Sequence, residues 1–324
     1  MNASAIVNTA PGKLEMQEIS LPEPGLGEAL IKTLSCGVCA TDLEMIDGWD
    51  RTEFPAIPGH EWCGRVEALG EDADPALLGK IVVGDNILLD GGEVGFEHPG
   101  GYATHFVTRA DNLFVLPDAI HASDATLIEP LAVCMRGIRK VMDFLPADAL
   151  IFGDGPIGLL SLLLLRHFGS KSVTLVGGRD SRLKLAESIG ASGTINYHET
   201  ADLADNIQKS ADRSSWPLIV ETSGSAKAME LTLLLSGNDA RILVLGDYGS
   251  GRADFPWNTI LHKELVLLGS NTGSEAWKES VGLAGSLPIS RLITHRFPAR
   301  EFLTAVQKVR DRASGAVKVV LDWE

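Results

Sequence analysis

A G-x-G-x-x-G run, Gly153-Asp154-Gly155-Pro156-Ile157-Gly158, stands between a stretch that reads as a strand (149–152) and one that reads as a helix (157–168). Alone such a run is a weak signal, but strand, turn, helix and a following strand together make it a dinucleotide cradle. Gly153 permits the tight turn and Gly155 lets a pyrophosphate approach the backbone. Gly158 lets helix and strand pack closely, and the phosphates sit at the helix N-terminus, beside Pro156 and Ile157. Strands at 172–176, 218–221, 241–245 and 265–268 alternate with helices at 181–189 and 226–235. That alternation predicts a parallel sheet wrapped on both faces.

The chain before about Ala122 has another character. Short strands at 5–7, 14–19, 29–34, 81–83, 87–89 and 102–108, broken by Pro22, Pro24, Gly25 and Gly27, predict a compact, irregular β-barrel. In the tail, Phe302, Val306 and Val309 share one helical face and 316–321 reads as a strand, so the tail is expected to pack back on the first domain. A length of 324 residues suits about two domains.

Lys plus Arg number 28 against 43 Asp plus Glu, a net charge of −15, which argues against nucleic acid or an anionic membrane as partner. No basic segment precedes an apolar one at the N-terminus, so no secretory signal is expected. The greasiest stretch, 149–165, contains Asp154 and three glycines and reads as strand, turn and helix rather than a membrane span. Cys36, Cys39, Cys63 and Cys134 are too few and too clustered for a disulfide framework, and a reduced, cytoplasmic protein is expected.

The second strand ends Val176-Gly177-Gly178-Arg179-Asp180. NAD sites place an acid there for the ribose 2′-hydroxyl. Gly177 leaves room for a 2′-phosphate instead and Arg179 can pair with one, so NADP is expected over NAD. Asp180 falls beyond the strand and opens the next helix, and Arg182 reads as a solvated helix charge.

Cys39, His60 and Glu61 offer thiolate, imidazole and carboxylate, the ligands zinc takes when it keeps an open catalytic position. Singly they read as a small buried hydrophobe, a core histidine and a surface charge. Their context is more specific. Gly37-Val38-Cys39-Ala40-Thr41-Asp42-Leu43 and Gly59-His60-Glu61 with Gly64 and Val66 resemble the two zinc signatures of the medium-chain dehydrogenase/reductase superfamily. Gly84-Asp85-Asn86-Ile87, Gly100-Gly101-Tyr102-Ala103 and Glu129-Pro130-Leu131-Ala132 match further stations in order. With the Gly153 cradle, the resemblance to the zinc-dependent alcohol and polyol branch (sorbitol and threonine dehydrogenases) spans nearly the whole chain.

That resemblance implies an α/β fold with a GroES-like β-barrel substrate domain (1–130), a Rossmann doubly wound domain (131–272) and a return segment (273–324) completing the first. It implies Cys39 and His60 as zinc ligands, Glu61 as a carboxylate that binds or exchanges with the metal, and Glu129 as the remaining ligand, direct or through water. Thr41 would shuttle the substrate proton and Asp42 would orient a metal ligand. Glu44 stands where many relatives have a histidine near the relay's exit. Relatives often carry a four-cysteine lobe, but no cysteine lies between Asp85 and Gly100, so one zinc per chain is expected and no structural zinc. Cys36, Cys63 and Cys134 read as packing residues. Gly177-Gly178-Arg179 with Tyr197 resembles the 2′-phosphate pocket of NADP-dependent secondary alcohol dehydrogenases. The implied reaction is hydride transfer between NADP(H) and a secondary alcohol, polyol or amino alcohol and its ketone, in a homo-oligomer of two or four chains. The rival readings are a zinc-free quinone or enoyl reductase of the same superfamily and a non-catalytic NADPH-binding protein.

Overall fold

The computed structural model describes residues 1–323. The chain divides into two compact units, Met1–Glu129 with the chain from Trp277 onward, and Pro130–Ala276.

The first unit opens with an antiparallel hairpin of β1 (Asn2–Ala10) and β2 (Lys13–Ser20), turned at Gly12 with φ +75°. Then follow β3 (Glu28–Val38), α1 (Ala40–Asp47), β4 (Trp62–Leu69), β5 (Ile81–Gly84), β6 (His105–Arg109), β7 (Leu113–Val115) and α2 (Ala122–Ala125), while α3 (Ile128–Arg139) starts in this unit and runs on in the second. Ile6, Ile31, Trp62, Val66, Tyr102 and Phe106 fill the core of the first unit, with the Trp62 and Phe106 rings edge to face at 4.9 Å. α1 and β4 carry too little apolar periodicity to stand out in the sequence. The strand expected at 87–89 is absent: Ile87 forms only an isolated bridge to Glu93. Two left-handed glycines, Gly91 and Gly95, bend that segment, and Arg51 ties it down through Glu93 and Glu97.

The second unit alternates β8 (Asp148–Phe152), α4 (Pro156–His167), β9 (Ser172–Gly177), α5 (Asp180–Ser188), β10 (Gly193–Asn196), α6 (Leu203–Ser210), β11 (Trp216–Glu221), α7 (Ala226–Leu235), β12 (Ser236–Val244), α8 (Asn258–Lys263) and β13 (Val266–Gly269). The six strands are all parallel in the order β10-β9-β8-β11-β12-β13. The chain steps outward from β8 to β10 and returns beside β8 as β11, so the winding reverses between β8 and β11. A ligand crevice opens at such a reversal, off the C-terminal strand ends, and the glycine run follows β8. α4 is buried along Gly158–Leu165, which accounts for its apolar composition.

From Trp277 the chain returns to the first unit with α9 (Trp277–Ala284), β14 (Ile293–Pro298), α10 (Phe302–Arg310) and β15 (Lys318–Asp322). Phe302, Ala305 and Val306 bury the expected face of α10. β15 pairs antiparallel with β3, Val319 opposite Val38 and Val320 opposite Gly37. A strand from the end of the chain thereby reaches the edge of the Cys39 signature. No described helix is long and apolar enough to cross a membrane.

Candidate active site

β3 ends at Val38 and Cys39 caps α1 with extended φ −97° and ψ 159°. Asp42, one turn on, accepts the Cys39 amide at 2.8 Å, closing a capping box. The same carboxylate is fully buried and also accepts the Tyr102 hydroxyl at 3.4 Å. Its other oxygen lies 3.3 Å from His60 Nδ1, in ion-pair range without hydrogen-bond alignment. One residue therefore fixes both the thiol's backbone and the imidazole, leaving Nε2 of His60 for a metal. Burial pushes the pKa of His60 down, but Asp42 and Cys39 beside it outweigh burial and hold it well above its ordinary value.

Asn86 donates to the His60 carbonyl at 2.8 Å and accepts Trp62 Nε1 at 2.9 Å, which gives the Gly-Asp-Asn station a task in holding β4. Glu61 is 1% exposed, and Lys318 Nζ reaches both its carboxylate oxygens at 2.6 Å. A Cβ on Gly37 would collide with Glu61 Oε2, so that glycine makes the carboxylate's place. The ligand atoms of Cys39, His60 and Glu61 all lie within 4.8 Å of one another. Thiolate, imidazole and carboxylate converging on one small volume fit a tetrahedral zinc.

Glu129 does not join that trio, yet it feels its charges: burial first, then Glu61 and Glu93, raise its pKa to about 7, against His60 and Lys318. Thr41 is half-buried with its hydroxyl 3.6 Å from Cys39 Sγ, while Glu44 is exposed one turn along α1. Burial raises the pKa of both Cys36 and Cys63. Cys134 is fully buried and donates to the Ile157 carbonyl at 3.4 Å.

Sequence reasoning missed Lys318. Its one local signal is a charge inside the apolar run Ala316-Val317-Lys318-Val319-Val320-Leu321.

In the second unit the three cradle glycines serve three ends. Gly153 has φ +119°, and a Cβ on Gly158 would strike the Gly153 carbonyl. A Cβ on Gly155 would meet nothing within 4 Å, so open space faces the backbone at the N-terminus of α4, where Pro156 is the first helical residue. That space and those amides fit a pyrophosphate.

The end of β9 corrects the sequence reading twice. Gly177 does not leave room, because a Cβ there would stand 2.5 Å from Asp154 Cβ. Arg182 is not a solvated charge: its side chain is 14% exposed, with Nη1 3.7 Å from Asp154 Oδ1, beside Arg179 Nη1 at 3.4 Å. Asp180 opens α5 and accepts Asn196 Nδ2 at 2.6 Å. Tyr197 follows β10, half exposed, with its ring against Gly178, whose Cβ would run into it.

Comparison with known proteins matches residues 156–286 to the zinc-binding dehydrogenase family and residues 25–118 to the alcohol dehydrogenase GroES-like domain. An L-threonine 3-dehydrogenase of Coxiella burnetii is 30% identical over 100% of both chains. A short chain alcohol dehydrogenase of Escherichia coli complexed with NADH superposes with a TM-score of 0.92 at 23% identity, over 99% of each chain. A putative zinc-binding dehydrogenase of Sinorhizobium meliloti bound to NADP does so with 0.91 at 23% identity, again over 99% of each chain.

Proposed function

Because the chain belongs to the zinc-binding alcohol dehydrogenases with a GroES-like domain, we propose that it transfers hydride between NADP(H) and a secondary alcohol, polyol or amino alcohol. The observation that carries this reading is the convergence of Cys39, His60 and Glu61 within 4.8 Å. A zinc ion held there would supply Lewis acidity, which makes an alcohol easier to deprotonate and a carbonyl easier to reduce. Lys318 bonds both oxygens of Glu61 but leaves each a further lone pair for the metal, and Glu129, whose carboxyl feels His60 and Glu61, would be the remaining ligand, directly or through water. Asp42 keeps the His60 ring oriented, and the Thr41 hydroxyl takes the proton that leaves the substrate oxygen. Glu44, exposed on the same helix, passes it to solvent. Phe96, its ring 4.9 Å from that of His60, walls one side. The buried charges of Glu61 and Lys318 and the carboxyl of Glu129 around the site suit a hydroxyl-rich or ammonium-bearing substrate better than an apolar one. The threonine dehydrogenase relatives point the same way. A panel of alcohols and ketones with both cofactors, read at the nicotinamide absorbance, tests the substrate class.

Thr41→Val keeps the shape and removes the hydroxyl. Turnover is expected to fall by roughly 10²-fold, the lower range for a proton-transfer group, while the NADPH dissociation constant stays within twofold. Unchanged turnover with chemistry rate-limiting would make Thr41 structural only.

Arg179, Arg182 and Tyr197 support NADP over NAD. A charge-assisted contact to phosphate contributes about 1.5–3 kcal/mol, so kcat/KM is expected to favour NADP by about tenfold or more. Arg179→Ala is expected to erase most of that margin. A wild-type preference for NAD sinks this part of the reading and leaves the zinc chemistry standing.

The reading includes self-association. β13 is an edge strand exposing Val266 and Leu267, and α8 exposes Leu261. Light scattering is expected to return a mass of two or four chains, and a monomer at micromolar concentration would count against it.

A further inference from the structure

Asp154 belongs to the phosphate loop, yet its carboxylate stands at the end of β9. A Cβ on Gly177 would lie 2.5 Å from Asp154 Cβ and 2.8 Å from Oδ2. Oδ2 accepts the amides of Gly178 at 2.9 Å and Arg179 at 3.0 Å. Oδ1 faces Arg179 at 3.4 Å and Arg182 at 3.7 Å. Asp154 is 8% exposed, so these groups are its main surroundings. In enzymes that use NAD, an acid at the end of this strand accepts the ribose 2′-hydroxyl. Here the strand-end residue is a glycine and an acid from the neighbouring loop fills its volume.

We propose that Asp154 is this protein's cofactor-specificity acid, carried on the phosphate loop in place of the strand end. It accepts the ribose 2′-hydroxyl of NAD and, as a negative charge set between two arginines, holds back the 2′-phosphate of NADP, so that both cofactors bind. The proposal rests on the NADP-preferring reading above and sets its limit.

A carboxylate offers about four lone-pair sites. Two amides on Oδ2 therefore leave acceptor capacity for a hydroxyl. The charges give the other half of the argument: two guanidiniums and one carboxylate leave the pocket one positive charge, and removing the carboxylate's charge leaves two. Burial and the neighbouring Arg179 bring the pKa of Arg182 down to about 10, and Asp154 opposes both. The two arginines thus sit together with the acid as counter-ion, and a bound 2′-phosphate has to share them with it.

Dissociation constants for NADPH and NADH, read by energy transfer from tryptophan in the zinc-loaded full-length protein, test the proposal. Wild type is expected to bind NADH within ~100-fold of NADPH, the span of one or two charged contacts, and failure to bind NADH overturns the proposal without any variant. Asp154→Asn is expected to tighten NADPH and weaken NADH, moving their ratio by about tenfold or more. Asp154→Ala, which keeps neither charge nor acceptor, is expected to move it the same way. An unchanged ratio, or NADPH weakened more than NADH, overturns the proposal, the latter making Asp154 a brace for the arginines. The direction in which the variants move the ratio is independent of its wild-type value. A wild type that prefers NADH therefore fails the NADP reading alone, while a wrong-way shift fails this one.

Discussion

Cys39→Ser is expected to strip the zinc and abolish turnover, because Cys39 contributes the single thiolate of the Cys39–His60–Glu61 trio. Losing only an outer partner of a metal ligand costs about 10–100-fold in affinity or activity, so loss of the thiolate exceeds about 100-fold. The fold should persist, since Asp42 accepts the Cys39 amide and not its side chain. Cys36→Ser and Cys63→Ser are the matched controls: both thiols are fully buried with their pKa pushed up by burial, and neither belongs to the trio. Metal content and turnover on the three variants decide the matter. Equal losses across the three would show that packing, not ligation, is being measured.

Lys318→Met is expected to be the most destabilising single change at the site. The Lys318 and Glu61 side chains are 3% and 1% exposed, and the ammonium holds both carboxylate oxygens at 2.6 Å. Burial pushes the lysine's pKa down, but Glu61, Cys39 and Glu129 around it hold it above its ordinary value, so the ammonium is charged at neutral pH. Removing one partner of a buried pair strands the other and costs about 3–5 kcal/mol. At about 2–4 °C per kcal/mol for a unit of this size, the melting temperature should drop by about 6 °C at the least. Glu61→Gln in the Lys318→Met background should recover much of it, because nothing charged is then left buried alone. Purely additive losses in that cycle would mean the two residues do not act as a pair.

What the sequence made legible was what lies close along the chain. The glycine cradle, α10 and the Cys39 and His60 stations each span fewer than a dozen residues, so their spacing carries their meaning. The Lys318–Glu61 pair joins residues 257 apart and exists only because β15 aligns with β3. Asp154 was in view, lying between two cradle glycines, but its arrival in the volume above Gly177 depends on how the loop packs on β9. Arg182 was misread for the same reason, since helix position alone does not tell that the side chain turns back toward the loop. The missed α1 is short, and it is held by the Asp42 capping box more than by an apolar stripe. At 87–89 the opposite error arose: local alternation suggested a strand that left-handed glycines and the Arg51 ion pairs replace with turns.

Zinc content and turnover measured on one preparation bear most directly on the central claim. Protein purified without chelators is expected to carry one zinc per chain and to reduce a ketone with NADPH. Activity should vanish when the metal is removed and return on adding zinc. Ketone reduction that persists undiminished in metal-free protein would contradict the account.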